Sequence, residues 1–219
     1  KSNSKNYHAH GNVGYDIILA YLLSMLNDTL KNYTVILASG SPRRQQFFKD
    51  LGLDFEIRLK PIKEEFPPTL RHFEITNYLA QLKSMPFLDT LKDNEILITS
   101  DTIVWHNEQA LGKPRSDDEA FSMLSSMSGK THEVITSVCM RTNNYQKTVS
   151  NVTKVTFKTF TEAEIWYYIN TYKPFDKAGA YGIQEWIGAI GITKIEGTYN
   201  NVVGLPVNLV YRELLSLVS

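Results

Sequence analysis

A short apolar run that leads into a glycine- and proline-containing turn limits the possible folds more than any other part of the sequence. Val35 to Ala38 are apolar and partly β-branched, and Ser-Gly-Ser-Pro follows directly at 39–42. The run predicts a buried strand, and Pro42 suits the first turn of a helix over about 43–51 that ends before Gly52. The sequence therefore predicts a strand, a tight turn and a helix in close succession.

Strands and helices alternate along the rest of the chain. The further predicted strands cover 53–59, 96–98, 103–105, 134–141 and 148–160, and the further predicted helices cover 74–84, 117–127, 161–172 and 205–217. The Gly-rich region 176–204 is predicted to carry short strands. This mixture favours an α/β fold, and 219 residues suffice for one domain or for two lobes around a cleft.

The charge balance and the cysteine content limit the partners and the compartment. Lys plus Arg and Asp plus Glu are 23 each, so no global positive field would hold the chain on nucleic acid or on an anionic membrane. Cys139 is the only cysteine, which excludes an internal disulfide and fits a reducing compartment such as the cytoplasm. The five histidines show no ligand spacing with Cys139, so the sequence does not indicate a transition-metal site.

The first residues are set apart from the rest by a short apolar run at 17–26. A membrane span needs roughly 20 residues, so this run is too short to cross a bilayer. No small-residue cleavage site of a signal peptide follows, since Asn27, Asp28 and Thr29 come next. We interpret residues 1–24 as an upstream extension or a cloning remnant and expect the domain over 25–219; a genuine additional helix is the alternative.

The turn at 39–44 is a candidate phosphate-binding site. It begins with Ser39, and Arg43 and Arg44 lie where the predicted helix starts. Free backbone N–H groups and the positive end of the helix dipole attract anions at such a position, and guanidinium groups match phosphate oxygens. The alternative is a helix start with two solvated arginines. The spacing of a P-loop is absent.

A second candidate is Ser-Asp-Thr at 100–102, directly after the apolar residues 96–98. A carboxylate at the C-terminal end of a buried strand opens onto the crevice where α/β sheets bind ligands, which makes Asp101 a candidate. An Asx turn that only ends the strand is the alternative.

Further charged residues lie near the ends of predicted elements. Glu64 and Glu65 precede the helix that carries Lys83, and Lys113 lies in a Gly-Lys-Pro turn. Each of them alone is typical of a solvated surface. Together with Asp101 they supply carboxylates for a divalent cation and positive charges for a polyphosphate, and Mg²⁺ prefers one or two carboxylates with waters and phosphate oxygens.

The run Asp-Lys-Ala-Gly-Ala-Tyr-Gly-Ile-Gln at 176–184 is a third candidate. Its small residues let the backbone approach a ligand closely. The amide of Gln184 can donate and accept hydrogen bonds at once, as the edge of a nucleobase requires. A tight turn with a structural amide is the alternative.

Six motifs follow one another along the chain: ASGSPRR at 38–44, SDTIV at 100–104, LGKP at 111–114, SGKTH at 128–132, DKAGAYGIQ at 176–184 and VVGLP at 202–206. Each motif alone is common, but their shared order is specific and extends from about Val35 to the C-terminus. Together these motifs resemble the Maf family.

The resemblance implies a central mixed sheet flanked by helices, with two lobes around a deep cleft as in inosine triphosphatase-like proteins, often as a homodimer. It implies hydrolysis of nucleoside triphosphates to the monophosphate and pyrophosphate with Mg²⁺ or Mn²⁺. Asp101 would be the proton acceptor, and Arg43, Thr102 and Gln184 would set substrate choice. The remaining matched polar positions of the cleft are Ser39, Arg44, Glu64, Lys83 and Lys113.

The Tyr-Gly-Ile-Gln form at 181–184 resembles the branch that prefers dTTP and UTP, and other branches act on modified pyrimidine nucleotides. Many relatives have Asp-Glu where this chain has Lys63–Glu64, so either Glu64 or Glu65 would join Asp101 at the metal. The rival function is a nucleotide-sensing regulator of septum formation or cell division that acts through partner binding. Retention of the carboxylates favours the enzyme, because a sensor would not need metal ligands.

Overall fold

A seven-stranded mixed sheet forms the centre of the computed structural model, which describes residues 26–218. Its strands are β1 (Thr34–Leu37), β2 (Phe55–Ile57), β3 (Glu95–His106), β4 (Gln109–Leu111), β5 (Thr131–Arg141), β6 (Gln146–Phe157) and β7 (Ile192–Glu196). They are ordered β2-β1-β3-β5-β6-β7, and β4 pairs with β3. β1 is parallel to β2 and β3, whereas the other pairs are antiparallel. The predicted α/β fold with a mixed sheet is confirmed.

Helices cover both faces of this sheet. Helix α1 ends at residue 30, and the later ones are α2 (Pro42–Asp50), α3 (Phe73–Ser84), α4 (Asp117–Met127), α5 (Glu162–Tyr172), α6 (Trp186–Gly191), α7 (Tyr199–Val203) and α8 (Val207–Val218). Two 3₁₀ segments, Met85–Thr90 and Ala178–Ala180, complete the set of described elements. α3 packs on one face of the sheet, and α2, α4, α5 and α8 pack on the other.

Residues at the start of several helices favour helix formation there, either by accepting hydrogen bonds from N–H groups of the first turn or by a suitable φ angle. Thr161 and Glu164 form a reciprocal capping box at the start of α5. Ser116 Oγ accepts a hydrogen bond from the N–H of Glu119 at 3.1 Å at the start of α4. α2 begins with Pro42, whose fixed φ suits the first helical position.

The prediction of separate strands at 96–98 and 103–105 was wrong. A single strand, β3, runs from Glu95 to His106 without a break. β5 pairs with it continuously over Leu97–Trp105, and this ladder keeps the polar residues 100–102 extended. Asp101 therefore lies within a strand rather than after one, and the strand that ends nearby is β1, whose last residue pairs with Ile98.

The prediction that 176–204 carries short strands holds for one strand only. Only β7 is a strand in this region, and helical turns occupy most of the remainder. Gly179 at φ 66° and Gly204 at φ 128° adopt backbone conformations that favour glycine and interrupt extended structure. The region folds back over the sheet instead of extending it.

Two hydrophobic clusters pack on one face of the sheet, one at each end. Phe48, Ile98 and Leu214 belong to the cluster between α2, α8 and the sheet. Leu124, Val134 and Tyr168 belong to the cluster beneath α4 and α5. The cleft opens between these two lobes, as the sequence predicted.

The predicted extension at 1–24 lies outside the described residues. Within them, Leu26 and Leu30 of α1 are buried in the α2–α8 cluster. Helices long and apolar enough to cross a bilayer do not occur between residues 26 and 218.

Candidate active site

A gap in the pairing of β3 forms the floor of the cleft. β5 occupies one edge of β3 along almost its whole length. On the other edge, β1 pairs with β3 up to Ile98, and β4 pairs with it from Val104 onward. Residues 100–102 lie between these two points, where no described strand covers the edge. This segment thereby lines the cleft instead of pairing with another strand on that edge.

Side chains alternate along β3, so neighbouring polar groups lie on opposite faces of the sheet. Asp101 lies on the face of α3, like Ile103, which packs against Leu79 of that helix. Thr102 lies on the other face, where its Oγ1 is 2.9 Å from an Nη of Arg44. A ligand that occupies the gap can therefore contact both faces.

Lys83 links two carboxylates on the α3 face. Its Nζ lies 2.6 Å from Asp101 Oδ1 and 3.1 Å from Glu64 Oε2. Lys83 belongs to the last turn of α3, and Glu64 lies in the loop 58–72 before that helix. Asp101 is only 6% exposed, whereas the Glu64 side chain is 52% exposed. One buried and one accessible carboxylate thus converge on a single positive charge.

The same two carboxylates fit a divalent cation. The ammonium group of Lys83 already places a positive charge in contact with both of them. Carboxylate oxygens suit Mg²⁺ and Mn²⁺, which complete their coordination with waters and phosphate oxygens. Residues 26–218 contain no group of three or more His, Cys, Asp or Glu side chains that could hold a metal alone. A cation held by these two carboxylates would need further ligands such as waters or phosphate oxygens.

The two candidate loop carboxylates differ in position. Glu64 lines the cleft, whereas Glu65 does not and instead pairs with Lys63 at 2.7 Å. The structure thus brings Glu64, and not Glu65, towards Asp101.

Arg44 holds together three segments at the other face of the gap. Its Nε donates to the carbonyl of Gly204 at 2.8 Å, and its two Nη groups donate to the carbonyl of Ser100 and to Thr102 Oγ1, each at 2.9 Å. Burial lowers the pKa of Arg44 below its ordinary value, and the charge of Asp101 partly offsets this. An arginine has five N–H groups, so part of this guanidinium remains for a phosphate.

The start of α2 forms one wall of the cleft. Its N-cap residue Ser41 makes no side-chain hydrogen bond to the first turn, so the N–H groups of that turn are not capped. Ser39 Oγ accepts from the N–H of Ser41 at 3.3 Å and fixes the turn. All residues from Ser39 to Arg44 line the cleft. Uncapped N–H groups and the helix dipole favour a phosphate there.

A row of ion pairs and hydrogen bonds runs from Arg43 of α2 to the opposite wall of the cleft. Arg43 donates to Asp176 Oδ2 at 2.8 Å, and Lys177 Nζ contacts Asp176 Oδ1 at 2.7 Å and Glu185 Oε1 at 3.0 Å. Glu185 also accepts a hydrogen bond from the buried Tyr168 hydroxyl. Burial, followed by this bond, raises the pKa of Tyr168, which remains a phenol. These contacts join the two lobes across the cleft.

Gln184 and Lys113 lie on exposed parts of the cleft lining. Neither side chain makes a hydrogen bond or ion pair with another residue in the described range, so both remain available to a ligand. The loop that carries Gln184 packs closely on β3 at Gly179, where an added Cβ would lie 2.7 Å from a methyl group of Val104. Tyr181 also fixes it through a 2.8 Å hydrogen bond between its hydroxyl and His132 Nε2.

His132 is a structural residue and not a base. It is almost fully buried in β5, and this burial, with a smaller effect of His106, lowers its pKa to about 3. A neutral imidazole at that position supports the loop through Tyr181.

Every predicted site residue except Glu65 lines one cleft of about 690 Å³, a volume in the usual range for small-molecule sites. Lys177, Glu185 and Tyr168 were not among the predicted site residues. Lys177 lies within the motif at 176–184, and Glu185 is the first residue after that motif. Tyr168 occupies a position typical of a buried residue of an amphipathic helix, so no signal in the sequence pointed to it.

Comparisons with known proteins find matches over most of the chain. The family described as Maf-like protein matches residues 34–217. A protein of Flavobacterium johnsoniae named dTTP/UTP pyrophosphatase is 61% identical, with 89% of this chain and 100% of that protein covered. Proteins of the same name from Christiangramia forsetii and Phocaeicola vulgatus are 56% and 49% identical and cover 89% and 87% of this chain, and 100% and 99% of their own lengths.

Among solved structures, the Staphylococcus aureus Ham1 protein is 16% identical at a TM-score of 0.47, with 84% of this chain and 99% of that chain covered. A likeness of this extent adds nothing to the assignment, which depends on the sequence matches. Since the family match spans most of the chain and near-full-length relatives share about half or more of its residues, the chain belongs to the Maf family.

Proposed function

We propose that the chain is a nucleoside triphosphate pyrophosphatase, which hydrolyses the bond between the α- and β-phosphates. The observation that carries this proposal is the convergence of Asp101, Lys83 and Glu64 beside the uncapped start of α2. The three side chains suit the activation of water, and the start of α2 suits the binding of phosphates. The relatives named dTTP/UTP pyrophosphatase support the same activity.

Asp101 accepts the proton of the attacking water. Its Oδ1 is held by Lys83, and its Oδ2 receives no hydrogen bond from the described residues. The open oxygen can orient a water towards the α-phosphorus and take its proton as the new P–O bond forms. The bond from the α-phosphorus to the bridging oxygen then breaks, and pyrophosphate leaves.

We propose that Glu64 and Asp101 hold a Mg²⁺ or Mn²⁺ ion together with phosphate oxygens. Such an ion, when bound, neutralises phosphate charge and lowers the pKa of a nearby water. This contribution matters because an ordinary aspartate is a weak base near neutral pH.

The remaining positive groups stabilise the phosphates. Lys113 supplies positive charge near the leaving pyrophosphate, and the first turn of α2 with Ser39 supplies backbone N–H groups. Arg44 fixes the floor of the cleft through Ser100, Thr102 and Gly204, and its remaining N–H groups can donate to a phosphate.

We propose dTTP and UTP as the preferred substrates, with modified pyrimidine nucleotides as further candidates. The names of the relatives support this choice. Thymine and uracil present an N–H donor between two carbonyl acceptors, and the free amide of Gln184 can match both kinds of group. Arg43 and Thr102 complete the set of residues that would set substrate choice.

The alternative of a nucleotide-sensing regulator of septum formation receives no support from these observations. The relatives are named as enzymes, and the cleft combines a carboxylate pair with an open carboxylate oxygen. Binding alone would require neither.

A cytoplasmic location and a homodimer stay predictions. Cys139 is buried in β5 as a free thiol, which is compatible with a reducing compartment.

The proposal is tested by incubating the protein with dTTP and Mg²⁺ and identifying the products. We expect dTMP and pyrophosphate in equal amounts. Formation of dTDP and inorganic phosphate, or no turnover of any nucleoside triphosphate, would contradict it. Omission of the cation or addition of a chelator should abolish turnover.

A further inference from the structure

Arg43 and Asp176 make an ion pair that bridges the two lobes of the cleft. Arg43 Nη1 lies 2.8 Å from Asp176 Oδ2, although the residues are 133 positions apart in the chain. Arg43 belongs to the first turn of α2, whereas Asp176 belongs to the loop that leads to Gln184. Both residues line the cleft, and their side chains are 27% and 58% exposed. The pair therefore lies on the lining of the cleft in which the nucleotide is proposed to bind.

A second contact, with the buried Lys177, fixes the position of the Asp176 carboxylate. Its other oxygen accepts a hydrogen bond from Lys177 Nζ at 2.7 Å, and the Lys177 side chain is only 9% exposed. Lys177 also contacts Glu185 at 3.0 Å, next to Gln184 in the chain. Burial alone would raise the pKa of Asp176, but the hydrogen bonds from Lys177 and Arg43 lower it to about 2. Asp176 is thus a fixed negative charge on a supported loop.

We propose that Asp176 is a positioning residue for substrate choice: it holds the guanidinium of Arg43 across the cleft and so sets where this cation meets the nucleotide. The inference depends on the proposed function for its substrates. Arg43 has a long, flexible side chain with many rotamers, and a fixed carboxylate restricts them. The same contact sets the distance between the α2 turn and the Gln184 loop, so Arg43 and Gln184 act on one substrate in a defined geometry.

The test compares binding and turnover of dTTP and CTP. Dissociation constants are measured with the non-hydrolysable α,β-methylene analogues, and kcat/KM is measured with the natural nucleotides. Asp176→Asn should lower the dTTP-over-CTP ratio at least about fivefold in both measurements, mostly through Kd and KM. Asp176→Glu keeps the carboxylate and should restore most of the ratio.

Measuring Asp176→Asn in an Arg43→Gln protein distinguishes an effect of Asp176 through Arg43 from direct contact of Asp176 with the nucleotide. Arg43→Gln should itself lower the ratio, and adding Asp176→Asn to it should cause no further decrease, because the group that Asp176 positions is already absent. Glu196→Gln is the matched control, since Glu196 forms an exposed ion pair with Lys194 outside the cleft. It should leave the ratio unchanged. The Asp176 side chain is 58% exposed, and its asparagine replacement can still accept a hydrogen bond from Lys177, so Asp176→Asn should change the Tm by less than about 3 °C.

An unchanged ratio in Asp176→Asn would overturn the inference. So would an equal decrease in the wild-type and Arg43→Gln backgrounds, or a large fall in Tm with equal losses for both nucleotides. A wild-type protein that binds the analogues but releases no pyrophosphate would contradict the proposed function, and the binding ratios would still decide the role of Asp176.

Discussion

Lys83 Nζ lies 2.6 Å from Asp101 Oδ1 and thereby joins the last turn of α3 to the middle of β3. The contact fixes one carboxylate oxygen of Asp101 and leaves the other open to the cleft. It also brings the accessible carboxylate of Glu64 to the same ammonium group. The proposed water activation and cation binding both depend on this arrangement.

Asp101→Asn should remove most of the activity and leave the fold intact. The side chains are nearly isosteric, but the amide cannot accept the proton or bind the cation as a carboxylate does, so kcat should fall at least ~10²-fold. Pyrophosphate release and the Tm provide the measurements. Asp54→Asn, at an exposed position outside the cleft, is the control and should behave as wild type. Wild-type turnover by a folded Asp101→Asn protein would refute the assignment.

Lys83→Gln should lower turnover and yet increase the affinity for Mg²⁺. Removal of the ammonium group takes a positive charge away from the two carboxylates, which makes a divalent cation more favourable between them. A Mg²⁺ titration at saturating dTTP should show a half-saturating concentration at least about threefold lower. Lys194→Gln, in an exposed ion pair of β7, serves as the control. A higher half-saturating concentration would mean that Lys83 does not share the cation site.

Arg44→Lys and Lys113→Gln should separate structural from electrostatic roles. One ammonium group cannot replace the three directed hydrogen bonds of Arg44, so the free energy of unfolding should fall by about 2 kcal/mol and the Tm by about 4–8 °C. Lys113 is exposed and makes no contact of this kind within the described chain. Its replacement should raise the KM for dTTP without changing the Tm. Thermal melts and initial rates of both variants test this, and equal Tm values would contradict it.

Gln184→Ala should reduce discrimination between bases. We expect the wild type to hydrolyse dTTP and UTP at least ~10-fold better than CTP or the purine triphosphates, because a site that hydrogen-bonds one base edge penalises another. The variant should lose more of this ratio than of its turnover of the best substrate. Values of kcat/KM for the five nucleotides provide the test. Equal efficiency on ATP and dTTP by the wild type would refute the pyrimidine preference.

Local signals in the sequence predicted the parts of the site that depend on short segments. The run before Ser39 and the proline after Ser41 specify a strand, a turn and a helix, and β1 and α2 have this order. The capping box of Thr161 and Glu164 specifies the start of α5 in the same way. These predictions succeeded because the interactions lie within a few residues of one another.

The parts that were missed depend on pairing between distant segments. Ser100 to Thr102 look like the end of a strand, but the ladder to β5 continues β3 through them. The contact of Tyr168 with Glu185 joins α5 to the Gln184 loop, and no local pattern distinguishes Tyr168 from a core residue. The choice between Glu64 and Glu65 likewise depends on how the loop 58–72 packs against α3.

Hydrolysis of dTTP in ¹⁸O-labelled water tests the central claim most directly, because the label marks the phosphorus that the water attacks. The products of a single turnover with Mg²⁺ are analysed by mass spectrometry. Attack at the α-phosphorus, as Asp101 and the α2 turn are proposed to direct it, places one labelled oxygen in dTMP and none in pyrophosphate. Label in pyrophosphate or in inorganic phosphate, with dTMP unlabelled, would contradict the account.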